Sequence, residues 1–206
     1  MTNAKRKPFL TTRELATVAI LAAISAVLFM IEIPVVLFYK LDLSHLPVLL
    51  GAGGVGRMFA TECALRGCRV TMAVRRDSME KAEPVRAHIR SIDPQAQVEI
   101  ADIASLNAGE QTFELMINAT PVGMFPKVEA SPVEASALKK VKTLFDCIYN
   151  PRQTRLMKDG EAAGCQVIGG LDMLVWQAVA AQEIWFGRQF KNEQVERVIA
   201  QLQEQL

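Results

Sequence analysis

A glycine-rich loop behind a short apolar run constrains this chain more than any other feature. Residues 47–56 read PVLLGAGGVG, so the apolar run leads directly into Gly51-x-Gly53-x-x-Gly56. A strand that ends in such a loop, with a helix opening after it, is typical of a dinucleotide-binding unit. The first glycine allows a tight turn, the second lets a pyrophosphate approach the backbone, and the third lets helix and strand pack closely. Taken alone the pattern is a weak signal, because small residues also produce it by chance.

The residues after Gly56 alternate between runs typical of strands and runs typical of helices. Alternation at this spacing predicts a Rossmann-like, doubly wound parallel sheet covered by helices, and we assign residues 47–206 to one such α/β domain. Pro84 predicts a kink or an early break in its helix. After the first strand, the predicted strands are 69–74, 98–103, 114–120, 142–149 and 166–168, and the predicted helices are 58–65, 78–92, 153–163, 171–186 and 192–206.

Residues 1–46 have a different character. Lys5, Arg6 and Lys7 precede residues 15–31, which carry no charged side chain, and the apolar run resumes over residues 33–39. As a helix, residues 15–31 would span about 26 Å at ~1.5 Å per residue, slightly less than a hydrocarbon core of ~30 Å. Alanines at 19 and 23, and at 22 and 26, form the small-residue face that membrane helices use for packing. We predict one transmembrane helix here, with a buried globular helix or a secretory signal as alternatives.

The overall charge and the cysteines exclude some classes of partner. The net charge is +1 and no basic tract lies beyond the first residues, so nothing favours a nucleic acid. His45 and His88 are isolated and the four cysteines show no CxxC, so we expect no metal site. Scattered cysteines fit a reducing compartment, and we expect the predicted α/β domain to be cytoplasmic. The basic N-terminus instead predicts that a single crossing would place this domain outside, unless the chain is a fusion.

The end of the second strand selects the nucleotide in this fold. An acidic residue there binds the ribose hydroxyls of NAD, whereas arginine suits the 2′-phosphate of NADP. Arg75 and Arg76 favour NADP, but Asp77 follows them and could bind a ribose hydroxyl. A solvated loop of charges is the third interpretation. The sequence therefore predicts a nicotinamide dinucleotide and leaves the choice between NADP and NAD open.

Three later motifs follow predicted strand ends. They read NATPVGM at 118–124, DCIYNPRQTRL at 146–156 and GGLDMLVWQ at 169–177. At the carboxyl edge of the sheet, Asn118 and Thr120 would line the nucleotide crevice and Tyr149 would lie beside them. Met173 and Gln177 share a helix face, since they lie four residues apart. A simple turn, a core tyrosine and an exposed glutamine remain the alternatives for each motif read singly.

Together these motifs resemble, in order and spacing, the C-terminal domain of shikimate dehydrogenases, with RRDSMEKA most similar to the quinate/shikimate branch. The resemblance implies that Cys147 and Gly170 approach the nicotinamide and that Tyr149 and Gln177 touch the substrate. Val74 departs from the asparagine usual before the first arginine, which weakens the assignment of adenosine contacts. The resemblance also implies pyrophosphate contacts by Gly51, Ala52, Gly53, Gly54 and Val55, and contacts to the adenosine ribose by Arg75 and Arg76.

The same resemblance implies that the catalytic machinery is missing. In that family a preceding substrate domain carries a catalytic Lys and Asp, and residues 1–50 contain neither of its motifs. Lys40 and Asp42 lie close together but match no dehydrogenase position. We therefore expect a shikimate/quinate dehydrogenase-type domain that binds NADP(H) or NAD(H), forms half of a substrate site and turns over little or no substrate. No catalytic residue is assigned.

The N-terminal segment resembles another family. TTRELATVAILAAISAVLFMIEIP and YKLDLSHLPVLLGA are similar to the start of the substrate-binding membrane component of energy-coupling-factor vitamin transporters, most closely the riboflavin branch. In that family the alanine face docks on a transmembrane coupling subunit, but several further membrane helices follow, and none is predicted here. A membrane-transport fragment is therefore the alternative function. LPVLLGA fits both families, which supports a fusion at this point.

Overall fold

The computed structural model describes residues 46–205. The predicted membrane helix at 15–31, and with it Lys40, Asp42 and His45, lies outside the described residues. Within the described part, none of the helices combines the length and the apolar character that crossing a membrane would require.

Six parallel strands form one sheet in the order β3-β2-β1-β4-β5-β6. The chain winds from β1 outward through β2 and β3, then returns to the other side of β1 with β4, which confirms the predicted doubly wound α/β fold. This reversal beside β1 is the switch point at which such sheets open a crevice for ligands. The strands are β1 Pro47–Leu50, β2 Val70–Val74, β3 Val98–Asp102, β4 Phe113–Asn118, β5 Val141–Asp146 and β6 Gln166–Ile168.

Helices cover both faces of the sheet. A 3-10 turn, Arg76–Ser78, separates β2 from the second helix. The helices are α1 Gly54–Leu65, α2 Met79–Ile92, α3 Ser105–Ala108, α4 Ala135–Leu138, α5 Arg155–Ala163, α6 Leu171–Phe186 and α7 Asn192–Gln205.

Strand β1 is buried on both faces. Leu49 joins the core formed with α1 and α2, while Val48 and Leu50 join the core formed with α4 and α5. Alternate side chains of a strand point to opposite faces, so a central parallel strand needs a continuous apolar sequence such as PVLL. Full burial of one such leucine contributes about 1.5–3 kcal/mol to the stability of the folded domain. The apolar run that precedes the glycine loop is thus the centre of the domain.

The register of the strands brings their carboxyl ends to a common edge, here called the carboxyl edge. Leu50 pairs with Ala73 on one side and with Asn118 on the other, and Asn118 pairs with Asp146. On the outer side, Val74 pairs with Asp102. The glycine loop, the arginine pair and the ends of β4 and β5 therefore share this edge.

Three details differ from the sequence-based expectation. Of the kink or early break expected at Pro84, the early break does not occur, because the proline removes only one helical hydrogen bond while Val85 and Ile89 hold α2 against the core. Helix α1 begins at Gly54 rather than at 58, since its first turn is built from the glycine loop itself. The short helices α3 and α4 were not predicted, because four residues are too few to show a helical period.

Candidate nucleotide-binding site

The glycine loop is held by two close backbone approaches. Gly51 has a φ of 95°, which favours glycine, and its N–H donates to the carbonyl of Ala73 at 2.9 Å. A Cβ on Gly56 would overlap the carbonyl oxygen of Gly51, so the first turn of α1 can lie this close to β1 only with glycine there. The fold itself therefore requires glycine at positions 51 and 56.

The fold does not require glycine at positions 53 and 54. Both are exposed, and a Cβ added to either would meet nothing within 4 Å. Gly53 is the N-cap of α1 with φ −72° and ψ −170°, a conformation open to any residue, and no side chain caps the helix there. The first turn of α1 thus has no side-chain cap, and Gly53 and Gly54 leave open space beside it, as binding of a pyrophosphate requires.

The neighbouring loop residues contribute packing. Ala52 and Val55 are half-buried, and both pack against the core beneath α1 and α2. Their side chains anchor the loop from below, which leaves backbone groups as the means by which these two residues could hold a phosphate.

Each of the two arginines that follow β2 forms an ion pair with an aspartate. Arg76 Nε lies 3.0 Å from Asp102 Oδ2, and Arg75 Nε lies 3.7 Å from Asp77 Oδ1. Arg75, Arg76 and Asp77 are all exposed, whereas Asp102 at the end of β3 is half-buried. The sequence alone does not identify Asp102, because only the register of β2 with β3 places it beside Arg76.

A buried hydrogen-bond network joins the ends of β4 and β5. The amide of Asn118 donates to Asp146 Oδ1 at 3.0 Å, while its carbonyl oxygen accepts from the N–H and the hydroxyl of Thr120. Asp146 also accepts from the N–H of Ile148 at 3.1 Å and from the hydroxyl of Thr154 at 2.6 Å. Asn118, Asp146 and Thr154 are all fully buried.

This network fixes two loops and one helix at the carboxyl edge. Thr154 is the N-cap of α5 and accepts from the N–H of Met157, so the carboxylate of Asp146 connects that helix to β4. Burial raises the pKa of Asp146, although the hydrogen bonds from Thr154, Ile148 and Asn118 act in the opposite direction. Asp146 and Thr154 were not assigned a role from the sequence, where the only signal was an acidic residue that ends an apolar strand.

Cys147 and Gly170 lie against each other. A Cβ on Gly170 would overlap the carbonyl oxygen of Cys147, and the N–H of Gly170 donates to the carbonyl of Ile148 at 3.2 Å. This close contact sets the start of α6 beside the end of β5. Burial, and secondarily the charge of Asp146, raises the pKa of Cys147 well above its ordinary value, which disfavours the thiolate form.

The two predicted substrate residues belong to the two segments that this contact joins. Tyr149 follows β5 and is 42% exposed, and Gln177 lies in the second turn of α6, half-buried. Phe125, which is 65% exposed, belongs to the loop after β4, and its N–H donates to the carbonyl of Asn150 at 3.1 Å. Two aromatic side chains thus project from adjoining loops at the carboxyl edge.

Comparison with family models separates two parts of the chain. A model described as shikimate 5′-dehydrogenase C-terminal domain matches residues 170–200. A model described as ECF transporter, substrate-specific component, matches residues 13–67. The second match overlaps β1, which the structure places in the parallel sheet, and α1, which packs against that sheet.

Comparison with known proteins matches the chain to shikimate dehydrogenases. The shikimate dehydrogenase (NADP(+)) of Crocosphaera subtropica is 37% identical over 142 residues, which cover 68% of this chain and 49% of that protein. The crystal structure of shikimate dehydrogenase 1 from Peptoclostridium difficile gives a TM-score of 0.69 at 28% identity, covering 85% of this chain and 61% of that one. A shikimate dehydrogenase solved in complex with NADP⁺ gives 0.65 at 30% identity, covering 77% and 54%. The chain spans about half the length of the curated relatives it matches.

Proposed function

Because residues 46–205 form a domain of the shikimate dehydrogenase C-terminal type, we propose that they bind NADP(H) or NAD(H) at the carboxyl edge. The boundary that we propose between this domain and the transporter-like segment lies between residues 46 and 47. We assign the domain to the cytoplasm, where nicotinamide dinucleotides are present.

The conformation and the open surroundings of Gly53 are the single observation that carries this proposal. Its backbone conformation suits any residue and the space beside it is empty, so neither strain nor packing in the folded chain calls for glycine. Close approach of a pyrophosphate to the backbone supplies that reason, because a side chain would occupy the same space.

The remaining predicted contacts follow from their places along this edge. Residues 51–55 would hold the pyrophosphate through backbone N–H groups, and the residues after β2 would face the adenosine ribose. Thr120, Cys147 and Gly170 would border the nicotinamide. Asn118 is fully buried, so it would not contact the nucleotide itself but would position Thr120 through their hydrogen bonds. When bound, the nicotinamide supplies the hydride chemistry.

We further propose that this chain turns over little or no shikimate or quinate. Oxidation of a hydroxyl needs a group that accepts its proton within hydrogen-bond reach. Tyr149 and Gln177 provide only contacts to one side of a substrate, and Lys40 and Asp42 match no catalytic position of the family. The described domain therefore provides the half of a dehydrogenase that binds the nucleotide.

The test is a titration of the purified full-length chain with NADPH and NADH, followed by assays with shikimate and quinate. We expect saturable binding of at least one nucleotide and turnover at least 1,000-fold below that of a complete dehydrogenase, since one acid–base group contributes ~10²–10⁴-fold. Absence of binding would refute the nucleotide site. Turnover at the level of a complete enzyme would refute the claim that its catalytic groups are missing.

A membrane-transport fragment is the second candidate, favoured by the family match at residues 13–67. The docking of an alanine-rich helix on a coupling subunit is its proposed activity. Co-expression with an energy-coupling-factor transmembrane subunit tests it: co-purification that is lost when Ala19 and Ala23 become leucine would support this function, and failure to co-purify would rule it out.

A further inference from the structure

Two ion pairs balance the charges at the proposed adenosine end of the nucleotide site. Arg76 pairs with Asp102 and Arg75 pairs with Asp77, so two cations and two anions meet after β2 and β3. The Arg76 side chain is 87% exposed, whereas that of Asp102 is only 19% exposed. A ligand phosphate arriving here therefore meets arginines that already have carboxylate partners.

Asp102 is fixed by several contacts in the sheet and the following turn. It pairs in register with Val74, the last residue of β2, and its Oδ1 accepts from the N–H of Ala104 at 3.1 Å. Its carbonyl accepts from the hydroxyl of Ser105 at 2.6 Å, and the N–H of Ile103 donates to the carbonyl of Val74 at 2.8 Å. The carboxylate thus has a defined position, with Oδ2 directed at Arg76.

The chemical difference between the two nucleotides is the 2′-phosphate of NADP, which lies beside the end of the second strand in this fold. An arginine attracts that phosphate through charge-assisted hydrogen bonds. If the guanidinium already donates to a carboxylate, the phosphate must compete with this partner, and the gain from binding is smaller. A ribose hydroxyl is neutral and is affected far less.

We propose that Asp102 determines the nucleotide specificity of this chain by competing with the 2′-phosphate for Arg76. The proposal rests on the proposed nucleotide-binding function. Asp102 keeps the affinity for NADP(H) close to that for NAD(H), so that the chain accepts both nucleotides despite two consecutive arginines. Asp102 is a positioning residue, since it acts through Arg76.

The experiment measures the affinities of the full-length chain for NADPH and NADH in wild-type protein and in Asp102→Asn. Asparagine keeps an oxygen that can accept from Ala104, so the turn after β3 is retained. We expect the affinity for NADPH to rise about 5- to 20-fold, as expected for freeing one charge-assisted contact, and the affinity for NADH to change less than about twofold. Asp93→Asn, which removes one negative charge at the C-terminal end of α2, before β3, should leave the ratio of the two affinities unchanged.

A second background separates the proposed competition from a general effect of charge. In Arg76→Gln, the further change Asp102→Asn should alter the affinity for NADPH by less than about twofold, because residues that act on each other are non-additive. A fall in NADPH affinity in Asp102→Asn, an unchanged ratio, or a full effect that persists without Arg76 would each overturn the proposal. If wild-type protein binds neither nucleotide, the proposed function itself fails, which is a distinct result.

Discussion

The glycine loop and the β4–β5 end lie at the same edge of one sheet but are built in opposite ways. At the glycine loop, Gly53 and Gly54 face open space and no side chain caps α1. At the β4–β5 end, Asn118, Asp146 and Thr154 are fully buried and hydrogen-bonded to one another. The first region leaves donors and space for a ligand, whereas the second holds the loops in place. Residues at one edge can therefore look equally functional in sequence and act in different ways.

The largest effect on stability is expected for Asp146→Ala. The substitution leaves Asn118, Ile148 and Thr154 without the acceptor that they share, at a cost of about 3–5 kcal/mol in the free energy of unfolding. Urea denaturation followed by circular dichroism measures it. Asp77→Ala, on the exposed turn, is the control and should stay within about 0.5 kcal/mol. A loss below about 1 kcal/mol for Asp146→Ala would show that the network does not hold this edge together.

Gly56→Ala is expected to have the next largest effect. The added methyl group would overlap the carbonyl of Gly51, and overpacking of this kind costs about 1–3 kcal/mol. Gly54→Ala is the matched control in the same helix, where the added Cβ meets nothing, and it should be neutral or stabilising by up to about 1 kcal/mol. Thermal denaturation without nucleotide compares the two variants. Equal melting temperatures would contradict the distinction between glycines required by packing and glycines left for the ligand.

The pH dependence of stability gives a smaller effect. Because the folded domain raises the pKa of Asp146, its contribution to stability is complete below the pKa of the unfolded chain, about 3.9, and is lost as the pH rises through the folded pKa. In Asp146→Asn the side chain at position 146 does not titrate, so this contribution is absent. The stability of wild-type protein relative to this variant should therefore fall as the pH rises above the unfolded pKa of about 3.9, as measured by urea denaturation at each pH. A relative stability that instead rises with pH would mean that the hydrogen bonds outweigh the cost of burial.

The sequence predicts the sheet better than it predicts the roles of residues at its edge. Apolar runs such as VTMAV and the glycine loop have strong local signals, so the six strands and the fold class could be inferred. Asp102 has no local signal, because it acquires its partner only when β2 meets β3. Thr154 is a residue type favoured at a helix N-cap, but its bond to Asp146 forms only when β5 meets α5. The sequence pattern also places Asn118 at the carboxyl edge, but only the structure shows that its side chain is fully buried there.

Affinity for NADPH in Gly53→Asp tests the central claim most directly. Aspartate is a favoured N-cap residue, and the space beside position 53 is open, so the melting temperature should not fall. Its side chain and charge would occupy the proposed pyrophosphate position, and the affinity for NADPH should drop at least 100-fold, about 2.7 kcal/mol. Gly53→Asn, with the same shape and no charge, should lose less. Wild-type affinity in a fully folded Gly53→Asp protein would contradict the account of the glycine loop as the nucleotide site.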